Sequence, residues 1–407
     1  MTIAIPGVHI HSFDIDPTAN FLFCVSTHDF YIFDIHTFET LGIIRLNTKK
    51  SISSFNYSAK SKTIVLTTQD KNWLYSLDTG NLLFELESPG RDYCTTALFS
   101  PDCRFFGASY NDGHFLILNG QTMATIKEFK FEHAIVMFSF SSGSQFVILG
   151  FDNGKMLILG TETDHKYLRK VHDKNSCVIT YFHPHNFMKF MTKDSKKGII
   201  KFFEINKYNE IEEYRNFNVN AINKNIRLIA FAFSCDGTIL FGCSGKKLFA
   251  WRMDDATILH KIEFDVDYNL EIDSFCELIP HLLIPNVVLV IAKSSLWIWD
   301  CLSNDCRIVS VANEDDPLFQ SGNWFKLNTA IIQTNKGILK LFGCEEKEWN
   351  SPEIRLNDYT EWSPVFSQLL SQWKEPNMNL AMTAFEKRAI HYLPINEVEL
   401  NSDSDSY

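Results

Sequence analysis

Residues 93–129 read as one structural unit, and that unit recurs along the chain. Cys94–Phe99 alternates in character and ends in Phe99-Ser100-Pro101-Asp102. Arg104–Ser109 is a second apolar run, Asn111-Asp112-Gly113 a tight turn, and His114–Leu118 and Met123–Phe129 a third and a fourth run. Four short runs with turn signals between them predict an up-and-down, four-stranded antiparallel sheet. A sheet that small cannot bury its own faces, so a chain built of such units must stack them.

The next unit follows at once. Val136–Phe140 leads into Ser141-Ser142-Gly143, Phe146–Gly150 into Asp152-Asn153-Gly154, and Lys155–Leu159 follows. A third clear copy has Leu228–Phe233, Ser234-Cys235-Asp236-Gly237, Ile239–Cys243, Ser244-Gly245-Lys246 and Lys247–Trp251. The Asp-Gly and Asn-Gly pairs have a physical basis, because two-residue hairpin turns need positive φ, which Gly and Asn tolerate best. Weaker copies fill Val8–Asn47, Ser51–Asp92, Ser176–Asn225, Leu270–Pro317 and Leu318–Thr360. Eight units result, spaced by about 40 to 50 residues.

The Phe-Ser-Pro-Asp turn, the Asp-Gly or Asn-Gly hairpin and a closing Trp-Asp-type dipeptide resemble WD40 repeats, over about Val8 to Thr360. Trp299-Asp300 is the one true Trp-Asp closing a third run; Phe33-Asp34 is a near match and Trp251-Arg252 departs further. No Gly-His pair precedes a first strand, and Gly113-His114 falls in a hairpin turn. His133 and His172 do lie just before first strands, the place of structural histidines bonded to a turn Asp. The resemblance implies an all-β chain: a single β-propeller of seven or eight four-stranded blades, its ring closed by strands from both chain ends. Thr2–Ile5 is the expected outer strand of the last blade. Ser363–Trp373 reads as a short amphipathic helix or a poor strand, and Asn379–Phe385 with Arg388–Pro394 as a hairpin that would help close the ring. The expected division is a propeller over 1–395 and a polar, acidic, disordered tail over 396–407. Within that tail Ser402-Asp403-Ser404-Asp405 resembles an acidophilic kinase site.

Composition agrees and excludes other classes. Aromatics make up 14% of the 407 residues, 35 of them Phe, a balance suited to pleated, half-buried surfaces. A net charge of −11 argues against a protein that mainly coats nucleic acid or anionic lipid. The apolar runs, such as Asn286–Lys293, fall far short of the ~20 residues that span a bilayer, and Met1–Gly7 has no secretory pattern, so no membrane partner is expected. The ten cysteines are scattered and never form Cys-x-x-Cys, which fits reduced thiols in the cytoplasm or nucleus.

No phosphate-binding glycine loop, zinc-protease motif or nucleophile elbow occurs. No cofactor, no catalytic residue and no small-molecule substrate is therefore expected, and a propeller enzyme would need convergent side chains that the sequence does not show. His9-Ile10-His11, expected in a first strand with both rings on one face, and His183-Pro184-His185, in a turn, are packing histidines by default; no metal site is expected. Trp297 and Trp299 share one strand face and are expected to pack between blades rather than cage a methylated lysine. Asn313-Glu314-Asp315-Asp316 is an acidic connection that suits a solvated loop or a basic peptide.

One stretch stands out. From Gly160 to Lys201 nine Lys/Arg face four Asp/Glu. Its candidate interaction residues are Lys166, Arg169, Lys170 and Lys174, on an outer strand and the loop after it, and Lys193, Lys196 and Lys197, in a hairpin turn expected on the same propeller face. The expected function is a non-catalytic scaffold or adaptor for other proteins of a larger intracellular complex. The alternative is a subunit that helps a partner enzyme grip RNA or chromatin through the basic patch at 166–201. A ubiquitin-ligase substrate receptor is disfavoured, because Trp299-Asp300-Cys301-Leu302 lacks the Arg that many such adaptors carry two residues after the Asp.

Overall fold

The computed structural model describes residues 2–343, apart from 4–7, 17–19, 59, 88–92, 198, 207–209, 218–229, 245–246, 256, 264–275, 313–315 and 327–328. Its elements are all strands, so no helix among the described residues is long and apolar enough to cross a membrane. They form eight four-stranded antiparallel sheets, one for each repeat unit. Blades 1 to 7 run Ser12–Arg45, Ile52–Glu87, Cys94–Lys130, Ile135–Lys170, Val178–Phe217, Ala230–Glu263 and Cys276–Val311, each with its strands side by side in chain order. Blade 8 takes three strands from Phe319–Gly343 and its fourth from Thr2–Ile3, which pairs antiparallel with Lys340 and Leu339. The N-terminal strand therefore closes the ring as the sequence suggests, and all eight units are blades. The expected C-terminal hairpin, the 363–373 segment and the acidic tail lie outside the described residues.

Burial explains the order of strands. First strands neighbour first strands from blade 2 to blade 5, from blade 6 to blade 8 and between blades 8 and 1, so they are innermost. Second strands are sandwiched on both faces: every residue of Thr63–Thr68, Phe105–Tyr110, Phe146–Phe151 and Thr329–Thr334 is buried. Such strands read as continuous apolar or small-residue runs rather than alternation. Fourth strands form the rim, and Thr125–Lys130 and Leu82–Glu87 are mostly exposed.

Three blade-to-blade interfaces are locked by aromatic pairs. Phe30 meets Phe55 at 5.2 Å between blades 1 and 2, Phe115 meets Phe138 at 5.0 Å between blades 3 and 4, and Tyr181 meets Phe231 at 5.0 Å between blades 5 and 6. Edge-on aromatic pairs of this kind contribute about 0.5–1.5 kcal/mol beyond their burial. Polar first-strand side chains add further ties. Asn56 Oδ1 accepts the Phe99 amide at 3.1 Å, and Asn323 Nδ2 donates to Asp14 Oδ1 at 3.0 Å across the ring closure. Gly150 is glycine for space, because a Cβ there would collide with the Val178 carbonyl of the next blade.

The repeat motifs have structural causes. Ser100, Ser141 and Ser234 end first strands, and each Oγ accepts the amide five residues on, Phe105, Phe146 or Ile239, at 3.0 Å. That bond closes the first turn. The Asp of the closing dipeptide caps the third-to-fourth-strand turn. Asp34 Oδ1 accepts the His36 and Thr37 amides at 2.7 and 2.9 Å, and Asp300 Oδ1 accepts those of Leu302 and Ser303 at 2.9 and 3.3 Å. Asn119 does the same for Gln121 and Thr122 at 2.9 Å, so Leu118-Asn119 is a further, disguised form of the dipeptide.

Several placements differ from the sequence reading: Lys193, expected in a hairpin turn, lies within the second strand of blade 5, Asn186–Asp194. His9 and His11 precede the first strand of blade 1, which begins at Ser12. Met123 belongs to a turn at φ 56°, its side chain buried, and the fourth strand of blade 3 begins at Thr125.

Candidate interaction face

Antiparallel order sorts the loops. Second-to-third-strand hairpins and blade-to-blade connections emerge on one face, here the hairpin face; first-to-second and third-to-fourth turns emerge on the other, here the turn face. On the hairpin face, between blades 4 and 5, lies a cleft of about 450 Å³ lined by Lys170, His172, Asp173, Asp194, Ile199 and Lys201, among others.

Its walls are built from backbone outward. Gly154, at φ 77° in the blade 4 hairpin, accepts the Val171 and His172 amides with its carbonyl at 2.9 and 3.0 Å, and donates its own N–H to Ser176 O at 2.8 Å. Asp194, 1% exposed, ends the second strand of blade 5. Its Oδ2 accepts the Ser176 hydroxyl at 2.8 Å and its Oδ1 the Lys196 and Lys197 amides, each at 2.8 Å. His172 Nε2 sits 2.9 Å from Thr192 Oγ1, and burial pulls its pKa down to about 4. At neutral pH this ring is uncharged and does not attract an anion. Asp173 pairs with Lys197 Nζ, which holds its carboxyl below the usual range. The cleft is thus mixed in charge: two carboxylates and a neutral imidazole beside lysines.

The seven candidate basic residues fall into different settings. Lys170, Lys174 and Lys196 are exposed on the hairpin face, and Lys197 joins them through its Asp173 pair. Lys166 lies on the rim, its Nζ 5.8 and 5.6 Å from the Phe129 and Phe131 ring centres. Arg169 bridges the rims of blades 4 and 5: it donates to Ile211 O at 3.0 Å and stacks its Cζ 5.4 Å from the Phe203 ring. Lys193 is only 6% exposed, with its Nζ 5.1 Å from the Phe231 ring of blade 6. The basic stretch is therefore not one continuous patch.

The histidines serve packing. His183 Nε2 donates to Gly237 O at 3.0 Å and His185 Nε2 to Cys235 O at 2.6 Å, tying blade 5 to blade 6. His183 Nδ1 accepts the His185 amide at 3.1 Å, which fixes a neutral ring, and burial lowers its pKa to about 4. His9 Nε2 donates to Asn335 O at 3.1 Å, and the His9 and His11 rings stand 4.8 Å apart beside the blade 8 hairpin. Among the described residues no three His, Cys, Asp or Glu are placed to hold a metal. His133 Nδ1 lies 3.5 Å from Asp152 Oδ1 in the blade 4 hairpin, an exposed contact without a hydrogen bond, while His172 meets Thr192 Oγ1 instead, so the expected histidine–turn-aspartate bond is not formed by either ring. Trp299 is fully buried 6.1 Å from Phe241 of blade 6, and Trp297 packs half-buried on the same cluster, so the pair fills a blade interface. Residues 313–315 of the acidic connection lie outside the described residues; Asp316 lines a smaller cavity of about 180 Å³ with Lys340 and Phe342.

Sequence reasoning did not single out the turn face of blade 7. Leu283 and Ile284, in its first turn, are 61% and 42% exposed, and Leu302, in the neighbouring third-to-fourth-strand turn, is 59% exposed. The signal was present in His281-Leu282-Leu283-Ile284-Pro285, where clearer units carry Ser, Pro, Asp and Gly.

Eight four-stranded blades, serine-closed first turns and Asx-capped closing dipeptides define an eight-bladed, WD40-like β-propeller. The chain is similar in structure to the β-propeller domain of Cps50 (Swd1) from Myceliophteria thermophila, with a TM-score of 0.55 and 12% identity over 84% of this chain and 99% of that one. It is also similar to the computationally designed Ika8 protein, with a TM-score of 0.64 and 13% identity over 84% and 98%. At such identities the likeness establishes the fold. The sequence matches no protein-family model and no curated protein.

Proposed function

We propose that this propeller is a scaffold that holds other proteins of a multi-subunit assembly, with the hairpin face at blades 4 and 5 as a principal docking surface. The observation that carries the reading is the closed ring with an open, mixed-charge cleft on that face, edged by the exposed Lys170, Lys174 and Lys196. Turn amides that are already satisfied leave the side chains above them to meet a partner, and rigid display lowers the ordering cost of binding. Paired carboxylates and lysines suit a protein surface with both signs of charge better than a phosphate backbone, which rewards a continuous row of cations. Lys193 is buried and Lys197 is already paired, so RNA gripping is the weaker reading. Cys24, Cys243 and Cys301 are buried free thiols, which supports a reducing compartment, cytoplasm or nucleus.

The test is affinity purification of the tagged full chain in low and high salt, with nuclease treatment and mass spectrometry. A stoichiometric protein set that survives both, and that Lys170→Glu with Lys174→Glu depletes, is the expected result. Recovery of nucleic acid alone, or of nothing, would overturn the scaffold reading.

A further inference from the structure

In blades 1 to 7 the first residue of the third strand stands opposite the last residue of the fourth, at the hairpin-face end of the rim. Side chains directly opposite on antiparallel strands have their Cβ atoms about 4.5–5.5 Å apart, so opposite charges attract there and like charges repel. Three blades set complementary charges at this position: Asp29 with Arg45 in blade 1, Lys71 with Glu87 in blade 2 and Lys247 with Glu263 in blade 6. The last two are ion pairs, at 3.1 and 3.3 Å. Blade 3 sets His114 against Lys130 with Asp112 between them, its Oδ2 at 2.6 Å from His114 Nδ1 and 2.8 Å from Lys130 Nζ. Blades 5 and 7 leave the position uncharged, with Ile200 opposite Phe217 and Ser295 opposite Val311. Blade 4 sets Lys155 against Lys170. Among the described residues no carboxylate forms an ion pair with either lysine; Asp173 is near enough to feel Lys170 but is bonded to Lys197.

The two lysines belong to the seam between blades 3 and 4. Alternation along the third strand sends Leu157 and Leu159 into the core shared with Phe115 of blade 3, so Lys155, in phase with them, lies on the side that faces blade 3. On the fourth strand Lys166 lies over Phe129 and Phe131 of blade 3, while Arg169 reaches blade 5, so Leu168 and Lys170 are in phase with Lys166. Lys170 also lines the cleft between blades 4 and 5. Leu168, between Lys166 and Lys170 on this face, is 57% exposed. The carboxylates at this end of the seam are the exposed Glu132 and Asp152, and neither forms an ion pair with Lys155, Lys166 or Lys170. What the other charged blades build in, an acid set against the base, blade 4 leaves to be supplied from outside.

We propose that Lys155 and Lys170 receive an acidic segment of a partner protein, one Asp or Glu carboxylate lying between the two ammonium groups and an apolar neighbour resting on Leu168. The proposal rests on the scaffold reading for the partner being a protein, and adds the chemistry by which that partner is held. A segment with a carboxylate beside an apolar side chain uses both features of the site; a nucleic-acid backbone uses only the charge. The test uses the full chain and a fluorescein-labelled peptide, Glu-Glu-Leu-Glu-Glu-Leu-Glu, followed by anisotropy at physiological ionic strength. Lys155→Glu gives blade 4 the acid–base order of blade 1, so the melting temperature should hold or rise while the peptide binds about tenfold more weakly or worse. Lys174→Glu with Lys196→Glu, beside the cleft of blades 4 and 5, should change binding by less than about twofold. A carbodiimide, which condenses a carboxylate with an amine it touches, should join the peptide to Lys155 or Lys170. Absence of saturable binding, binding that Lys155→Glu leaves unchanged, a crosslink only elsewhere, loss of binding with a lowered melting temperature, or preference for a single-stranded RNA of equal length overturns the proposal. None of these outcomes decides the scaffold reading, which stands or falls separately on whether purification recovers a protein set.

Discussion

The blade 4–blade 5 boundary and the turn face of blade 7 are built by the same device and display opposite chemistry. In both, a buried side chain takes up the amides of a turn: Asp194 those of Lys196 and Lys197, His281 those of Leu283 and Ile284. In both, the tips above the cap are free of backbone duty. At blades 4 and 5 the tips are lysines beside carboxylates; at blade 7 they are aliphatic. The comparison teaches that the cap sets where a tip points, while the tip alone sets what it will meet. It also separates two kinds of exposure. A solvated lysine is at ease in water, whereas each exposed leucine forgoes about 25 cal/mol per Å² of apolar surface that a cover would recover.

Four experiments would break or sharpen that contrast. The largest effect is expected from Asp194→Ala, which leaves the buried Ser176 hydroxyl and two amides without their acceptor. Thermal or urea unfolding should show a loss of roughly 3 kcal/mol, with hydrogen exchange rising across 171–199 and not across 281–304. His281→Ala is the matching change at blade 7. It removes the acceptor of two amides and the ring packed on Trp324, and should cost roughly 2 kcal/mol while loosening 281–286 alone. If either variant disturbs both regions equally, the caps are not local and the contrast fails.

Acid offers a third, smaller test. His172 and His183 are both held at about 4 by burial, below their ordinary 6.5. Their folded-state pKa values are depressed, so the folded chain resists protons that the unfolded chain binds between about 6.5 and 4. Their stabilisation is complete above pH 6.5 and declines as pH falls to about 4, by up to about 1.4 kcal/mol per pH unit for each ring. Unfolding curves from pH 7 to pH 4.5 should show this slope, and His172→Gln should remove about half of it. The smallest effect belongs to Lys197→Ala. Its pair with Asp173 is more than half exposed on both sides, so stability should change by under about 1 kcal/mol, and less again in high salt. A larger, salt-resistant loss would mean that the lysines at this boundary support the fold rather than stand ready for a partner.

The ring was legible because its signals are local. Asn111-Asp112-Gly113 and Asp152-Asn153-Gly154 mark hairpins, Ser100 and Ser141 close turns, and Thr2–Ile3 is a strand with no partner nearby in sequence. The candidate face was legible only in part. Lys193 looks like its basic neighbours in sequence, but its strand position directs it towards the next blade, where its stem lies buried and its ammonium meets Phe231. Leu283 and Ile284 failed in the opposite sense. Hydrophobic pattern assigns such residues to the interior, whereas they sit in a turn whose amides are taken up by His281, a contact invisible to periodicity. Blade count followed the same logic: eight units were visible, but which strand completes the last depends on a pairing between opposite ends of the chain.

That pairing also sets a clock for biosynthesis. On a ribosome, Thr2 and Ile3 emerge well before their partners Lys340 and Leu339, which follow about 340 residues later, roughly 20 to 70 s at ordinary elongation rates. Throughout that interval the nascent chain carries an unclaimed strand and an unsealed stack of blades. Once the pairing is made, the outer edge of Leu339–Gly343 is covered from within the chain, so the strand edge that could have recruited a neighbouring polypeptide is closed.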